Sequence, residues 1–512
     1  MASSTSETAD TLAGLLGQAD PTSPALLAPD RPPLDHRGLA AQIAATVDRL
    51  NALGIGRGDK VAIVLPNGPE MASAFLSIAA GAVTAPLNPA YRAEEFAFYL
   101  DDLQARALVV LKDWETPARA VAAEKKVPVL ELSFDPADPA GSFTLDGPAG
   151  GECARPGRAG PDDIALVLHT SGTTSRPKIV PLRQRNLVAS ARHIGATLAL
   201  TPADRCLNIM PLFHIHGLIA ATLSSLAAGG SVYCTPGFNA LRFFTWLEEA
   251  GANWYSAVPT MHQAILSRAE RNQAAIKAHP LRFIRSSSSS LPPQVMAALE
   301  DAFGAPVIES YGMTEATHQM TSNPLPPKAR KPGSVGIAAG PEVAIMDADG
   351  AILPQGATGE VVIRGPNVTA GYENNPEANR TAFTNGWFRT GDQGVFDAEG
   401  YLTITGRLKE IINRGGEKIS PREVDEVLMD HPAVAQAIAF AIPHDKLGED
   451  VGAAVVLRDG ATVEEAVLRR FVGERLADFK VPRRILFLDE IPKGATGKLQ
   501  RIGLAAKLGL GA

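Results

Sequence analysis

The chain has 512 residues, 45% of them hydrophobic and 20% charged, enough for roughly three cores at about 150 residues per domain. That composition excludes a largely disordered chain and a small disulfide-stapled scaffold. A net charge of −7 argues against a general nucleic-acid coat, which needs a basic surface.

From about residue 37 helix-like and strand-like segments alternate. Leu39–Leu53 has apolar residues at helical spacing, Lys60–Leu65 is a compact strand, Glu70–Ala80 a helix and Ala107–Leu111 a strand. Residues 112–160 are rich in turn formers and read as a surface excursion. Further strands follow at Ile164–Leu168, Arg205–Met210, Asn253–Val258, Leu281–Arg285 and Val307–Glu309, with helices between them. Such alternation predicts an α/β fold of parallel sheets flanked by helices. After Gly333 short strands with Gly and Asp turns predict a small antiparallel β subdomain over about 333–407. Residues 408–512 carry their own helices and strands, enough for a separate α+β domain. The expected division is therefore 1–407 and 408–512. No stretch approaches 18 uninterrupted apolar residues, so no membrane span is expected. The polar N-terminus lacks a signal pattern, and Cys153, Cys206 and Cys234 form no CxxC pair. Together these point to a cytoplasmic protein without a cysteine zinc site.

Four segments carry chemistry. His169-Thr170-Ser171-Gly172-Thr173-Thr174-Ser175-Arg176-Pro177-Lys178 follows the apolar strand IALVL. Its hydroxyls, glycine and lysine suit phosphate oxygens better than a core, although a polar turn is the plain alternative. It is not a Walker A loop. Glu309-Ser310-Tyr311-Gly312-Met313-Thr314-Glu315 ends a second strand. It offers a ring for a purine, a hydroxyl for a phosphate and a carboxylate for Mg²⁺. Asp392, with Arg407 further along, suits ribose hydroxyls; alone, a surface ion pair would be the better reading. Lys498 sits on the Gly-flanked loop Pro492–Lys498, where a solvated lysine is the ordinary case.

In this order and spacing the four segments resemble the adenylate-forming superfamily of acyl- and aryl-CoA synthetases, luciferases and nonribosomal peptide adenylation domains. The resemblance covers roughly residues 10–505. It implies a large N-terminal domain, a mobile C-terminal domain, and a two-step reaction. A carboxylate attacks the α-phosphate of ATP to give an acyl-adenylate and pyrophosphate, then a thiol displaces AMP. It implies ATP, Mg²⁺ and coenzyme A as cofactors or co-substrates. Thr170–Lys178 would fold over the triphosphate, Thr314 would touch the α-phosphate and Glu315 would hold Mg²⁺. Tyr311 and the Ser288-Ser289-Ser290 backbone would frame adenine, with Glu309, Ser310, Gly312 and Met313 in the same motif. Asp392 and Arg407 would bind ribose. Lys498 would bridge carboxylate and α-phosphate in the first step, and a lysine acetyltransferase acting on it would silence that step by removing the charge. Lys409 takes the hinge position, and its rotation would bring Arg414-Gly415-Gly416-Glu417-Lys418 to the thiol. Two departures stand out. Ser175 and Ile179 replace glycines, predicting a stiffer phosphate loop, and the run Ser286–Ser290 replaces a Gly/Ala-rich segment, placing extra hydroxyls near the acid.

A long acyl chain wants an apolar tunnel. Here His214, Ser288 and His318 offer donors to a small acid with a second charge. His216 reads as a structural histidine. The strings HTSGTTSRPK, PLFHIHGL and MTEATHQMTSNPLP resemble the oxalate–CoA ligase branch, in which the neighbour of Tyr311 is usually alanine; Gly312 here predicts a slightly larger pocket. Oxalate is thus the expected acid, with malonate or another short or medium-chain acid as the alternative. A nucleotide binder without turnover is the alternative of another class, and the presence of Lys498, Glu315 and Asp392 speaks against it. No nucleic-acid or membrane partner is expected, and the chain is expected to be a monomer or homodimer.

Overall fold

The computed structural model describes residues 10–148, 150–170, 177–492 and 499–511. A seven-stranded sheet runs in the order Thr144–Asp146, Val129–Ser133, Ala107–Leu111, Lys60–Val64, Val83–Pro86, Ile164–Thr170, Lys178–Arg183. Its five central strands are parallel and its two edges antiparallel. A nine-stranded sheet has a parallel middle formed by Val307–Met313, Phe283–Ser286, Trp254–Ala257, Arg205–Asn208, Ser231–Cys234 and Pro24–Leu27. The central strands are continuous apolar runs because both faces are covered. The helix Pro69–Ala79 shows the consequence. Phe75 and Leu76 are fully buried and share one core with Val61 and Ile63 of the first sheet and Cys206 and Val232 of the second.

Helix boundaries follow local chemistry. The helix His36–Ala52 starts where Asp35 accepts the Gly38 N–H, and it turns Leu39, Ile43, Val47 and Leu50 inward at helical spacing. Residues 112–160 are not the loop excursion their composition suggested. They contain the helix Pro117–Glu124 and two strands, Val129–Ser133 and Thr144–Asp146, that extend the first sheet. These strands are short and lie at or near the sheet edge, so only alternate residues are buried and the apolar signal is weak.

A five-stranded antiparallel sheet is built from Glu342–Met346, Gly359–Arg364, Phe383–Thr384, Trp387–Phe396 and Leu402–Arg407. A second five-stranded sheet comprises Ile412–Arg414, Glu417–Ile419, Val434–His444, Gly448–Leu457 and Arg484–Phe487, with its own apolar core around Val424, Leu428, Val451 and Leu468. The helix Pro421–Met429 joins the two units. Arg422 Nη1 donates to the carbonyl of Ile404 at 2.7 Å, and Ser420 Oγ donates to that of Thr405. Among the described residues no helix is long and apolar enough to cross a membrane.

Candidate active site

The strands Ile164–Thr170 and Lys178–Arg183 are antiparallel neighbours, with Thr170 opposite Lys178. Ser171, Gly172, Thr173, Thr174 and Ser175 lie between them in sequence and fall outside the described residues, as does Lys498. Ile179 is not part of the loop: it is buried in the second strand, where a β-branched residue packs well.

Lys178 Nζ sits 4.5 Å over the ring of Tyr372, and the Tyr372 hydroxyl donates to Glu315 Oε1 at 2.9 Å. A line of contacts thus runs from Lys178 through Tyr372 to Glu315. Glu315 lies in the short turn Thr314–Ala316 that follows the strand Val307–Met313. Burial pushes its carboxyl above the usual range, while hydrogen bonds and the charges of Arg407 and Lys178 oppose the shift.

On the strand Val307–Met313, Tyr311 donates to Asp392 Oδ2 at 2.5 Å, and Arg407 Nε donates to Asp392 Oδ1 at 3.0 Å. Asp392 and Arg407 face each other in register across two antiparallel strands. Their separation in sequence therefore encodes a hairpin that holds aspartate and arginine together beside the tyrosine. The adjacent Asp392 charge raises the Arg407 pKa. Glu309, two residues before Tyr311 on the strand, is buried and accepts the Leu291 N–H at 2.9 Å. Ser310 pins the serine run: its carbonyl accepts from Ser287 Oγ and its own hydroxyl donates to the carbonyl of Ser286.

The serine run does not act as one set of hydroxyls. Ser286 and Ser287 are buried under the strand end, Ser289 is exposed, and Ser288 alone turns to the histidines. Its φ of +73° makes that turn. His216, at the start of the π-helical segment His216–Leu223, is hydrogen-bonded to Ser288 Oγ at 3.0 Å and to Ser256 Oγ at 2.6 Å. The His318 ring lies 4.9 Å from the His216 ring. His318 holds φ +94°, a strained value for a non-glycine residue and one typical of functional sites. His214 is half-buried and its Nδ1 accepts the His216 N–H at 3.2 Å.

Gly312 does not enlarge a pocket. A Cβ there would lie 1.7 Å from the carbonyl oxygen of His318, so the glycine is required by the bulged pairing of its strand with His318–Ser322. Lys409 is exposed in the turn after Leu402–Arg407. Arg414 and Glu417 close a hairpin through Gly415 and Gly416, whose φ values of +61° and +103° explain both glycines. Arg414 is held by Asp450 at 2.8 Å, and Lys418 is exposed.

The sequence matches the AMP-binding enzyme family over residues 18–373 and the AMP-binding enzyme C-terminal domain over residues 423–498. The chain belongs to the AMP-binding enzyme family. An oxalate–CoA ligase of Arabidopsis thaliana is 48% identical, covering 96% of this chain and 97% of its own. A sulfoacetate–CoA ligase of Cupriavidus necator is 39% identical over 97% of this chain and 98% of its own. Among solved structures, ATP-bound MatB from Rhodopseudomonas palustris aligns with a TM-score of 0.88 at 30% identity, covering 97% of this chain and 98% of that one.

Within this AMP-binding enzyme the site contains residues that sequence reasoning missed. Tyr372 is one. His216 is the structural histidine its sequence context suggests, buried and hydrogen-bonded to Ser256 and Ser288; its two serine partners are what the sequence did not show. The other residue missed is Arg285, which the alternation of the strand Phe283–Ser286 hid among apolar neighbours. It is wholly buried, and burial lowers its pKa to about 9. Its N–H groups donate to Ser256 Oγ at 3.4 Å, Gln319 Oε1 at 3.2 Å and His318 Nδ1 at 3.5 Å.

Proposed function

We propose that this AMP-binding enzyme is an ATP-dependent, AMP-forming acid–CoA ligase whose acid is oxalate. The polar cluster of buried His216 and His318 with half-buried Ser288, His318 standing three residues after Glu315, carries the reading. A fatty acyl chain would have to displace hydrogen-bonded groups there, whereas a small polar acid would complete them. The near-full-length likeness to an oxalate–CoA ligase supports it. So does the likeness to a sulfoacetate–CoA ligase, since sulfoacetate too is a short acid with a second anionic group.

In this reading Thr170–Lys178 cradles the triphosphate, Tyr311 and the Ser288-Ser289-Ser290 backbone frame adenine, and Asp392 with Arg407 takes the ribose hydroxyls. Asp392 already accepts from Tyr311 and Arg407. A carboxylate has about four lone-pair positions, so acceptance of ribose hydroxyls remains open to it. Glu315 would hold Mg²⁺ through its carboxylate, a hard oxygen donor that suits the ion. When bound it neutralises phosphate charge. Tyr372 orients the Glu315 carboxylate, Thr314 approaches the α-phosphate, and Lys178 adds positive charge at the base of the phosphate segment. His214, Ser288 and His318 hold the acid. Lys498 would bridge acid and α-phosphate, aligning the attack. We place the domain boundary at 407/408, the hinge at Lys409, and the Arg414–Lys418 hairpin at the thiol in the second step.

The test is AMP release with CoA and ATP across oxalate, malonate, acetate, octanoate and coumarate. Oxalate should give the highest kcat/KM. Turnover of octanoate equal to that of oxalate would reject the assignment of the acid, and malonate leading the series would move the reading one methylene along.

A further inference from the structure

Arg285 lies in the middle of the nine-stranded sheet, on the strand Phe283–Ser286, with none of its surface exposed. Buried arginines are ordinarily paired with a carboxylate, because an unpaired buried charge is costly. Among the described residues no carboxylate lies within 4 Å of this guanidinium. Its three side-chain contacts are to a serine hydroxyl, an amide oxygen and an imidazole at 3.2–3.5 Å, and its Nε has no partner. A planar fork of donors, fixed by burial and left without a counter-charge, is the geometry that takes a carboxylate through two parallel bonds.

Its neighbours narrow the ligand. Ser256 lies opposite Arg285 in register and is shared with His216, which in turn reaches Ser288. His318, on the far side of the guanidinium, follows Glu315 by three residues. The unsatisfied donors thus belong to the same polar cluster as the histidines, not to a separate surface site. Gln319, the remaining contact, is locked through its amide to Thr197 and Ala339 at 3.0 Å each, so it cannot swing away to be replaced by water at little cost.

We propose that Arg285 is the receptor for the second anionic group of the acid and sets the preference for small dianionic acids over monocarboxylates. This rests on the acid–CoA ligase reading above. A dianion entering the cluster supplies the missing counter-charge, and a neutral or apolar tail leaves it missing. Selectivity then comes from the cost of the wrong substrate as well as the gain from the right one.

Oxalate and oxamate separate the terms, because they have nearly the same shape and differ by one charge. Turnover, or competitive inhibition where turnover is absent, is measured for both with wild type, Arg285→Met and Arg285→Lys, alongside ATP affinity. Wild type should prefer oxalate by at least about 100-fold. Arg285→Met should lose most of that ratio, with oxalate falling far more than oxamate and ATP affinity retained. Equal loss for both acids with ATP binding retained would overturn the proposal and leave Arg285 a structural residue. Should Arg285→Met fail to fold, Arg285→Lys decides. It keeps the charge but not the fork, so a raised KM for oxalate alone supports the receptor and an unchanged oxalate-to-oxamate ratio rejects it. Wild type releasing no AMP with any acid would instead overturn the ligase reading.

Discussion

Glu309 shows how much one buried carboxyl can say about pH. Burial pushes it up to about 7 from 4.5; Arg422 and the Leu291 N–H pull it down, and Glu426 pushes it further up. The folded chain therefore keeps a proton that the unfolded chain gives up above about 4.5. The stability this contributes is full below that pH, falls by at most about 1.4 kcal/mol per pH unit, and is gone above about 7. Glu309→Gln should flatten the fall, so urea midpoints at about pH 5 and pH 7.5 should differ less in the variant than in wild type. Tyr372 gives a second prediction. Tyr372→Phe removes the donor to a buried carboxylate, worth about 1–3 kcal/mol. Adenylation should slow about 10-fold and require more Mg²⁺; an unchanged Mg²⁺ requirement in a pyrophosphate-exchange assay would detach Tyr372 from Glu315's role. At this scale the sequence was legible where motif residues stand close together, as in Thr314-Glu315. Tyr372 lies 57 residues from its partner on a different element, and no spacing announces such a contact. Arg285 was hidden for another reason: inside an apolar strand a lone charge reads as an interruption, and only burial without a counter-charge shows that it is not one.

At the scale of elements, alternating apolar strands and helices pointed to the parallel sheets directly, because both faces of such a sheet must be covered. Edge strands escaped, since half their residues face water. The meaning of single glycines was also illegible. Gly312 looked like spare room and is a crossing point of two backbones. Gly312→Ala forces a Cβ onto the His318 carbonyl and should cost about 3 kcal/mol or more, together with activity, because His318 must move. Gly195 lies in the helix Gln184–Thr197, and a Cβ added there would meet nothing within 4 Å. Gly195→Ala should stabilise by about 0.5–1 kcal/mol without touching turnover. Opposite signs for the same substitution, read from denaturation midpoints, are the check.

For the whole molecule, the proposed role of Lys498, near the end of the sequence, makes a prediction about separate half-reactions. Lys498→Ala should abolish oxalyl-adenylate formation and largely spare thioester formation from supplied acyl-adenylate. Equal loss in both would contradict a role confined to the first step. The contacts between the strand Leu402–Arg407 and the helix Pro421–Met429 were not legible, because Arg422 and Ser420 bond to backbone carbonyls that carry no sequence signature. Those contacts give the strand Leu402–Arg407 two sets of obligations. Arg407 at one end grips Asp392, and the carbonyls of Ile404 and Thr405 receive Arg422 and Ser420 from the helix Pro421–Met429 and its N-cap. If Asp392 and Arg407 bind ribose as proposed, one short strand serves both the nucleotide and the junction with the helix Pro421–Met429. Linkage between the two is reciprocal: by whatever factor nucleotide favours this junction, the junction favours nucleotide. Parting the junction would then loosen the grip on AMP by that same factor, so departure of the leaving group and reorientation of the smaller unit would draw on a single free energy.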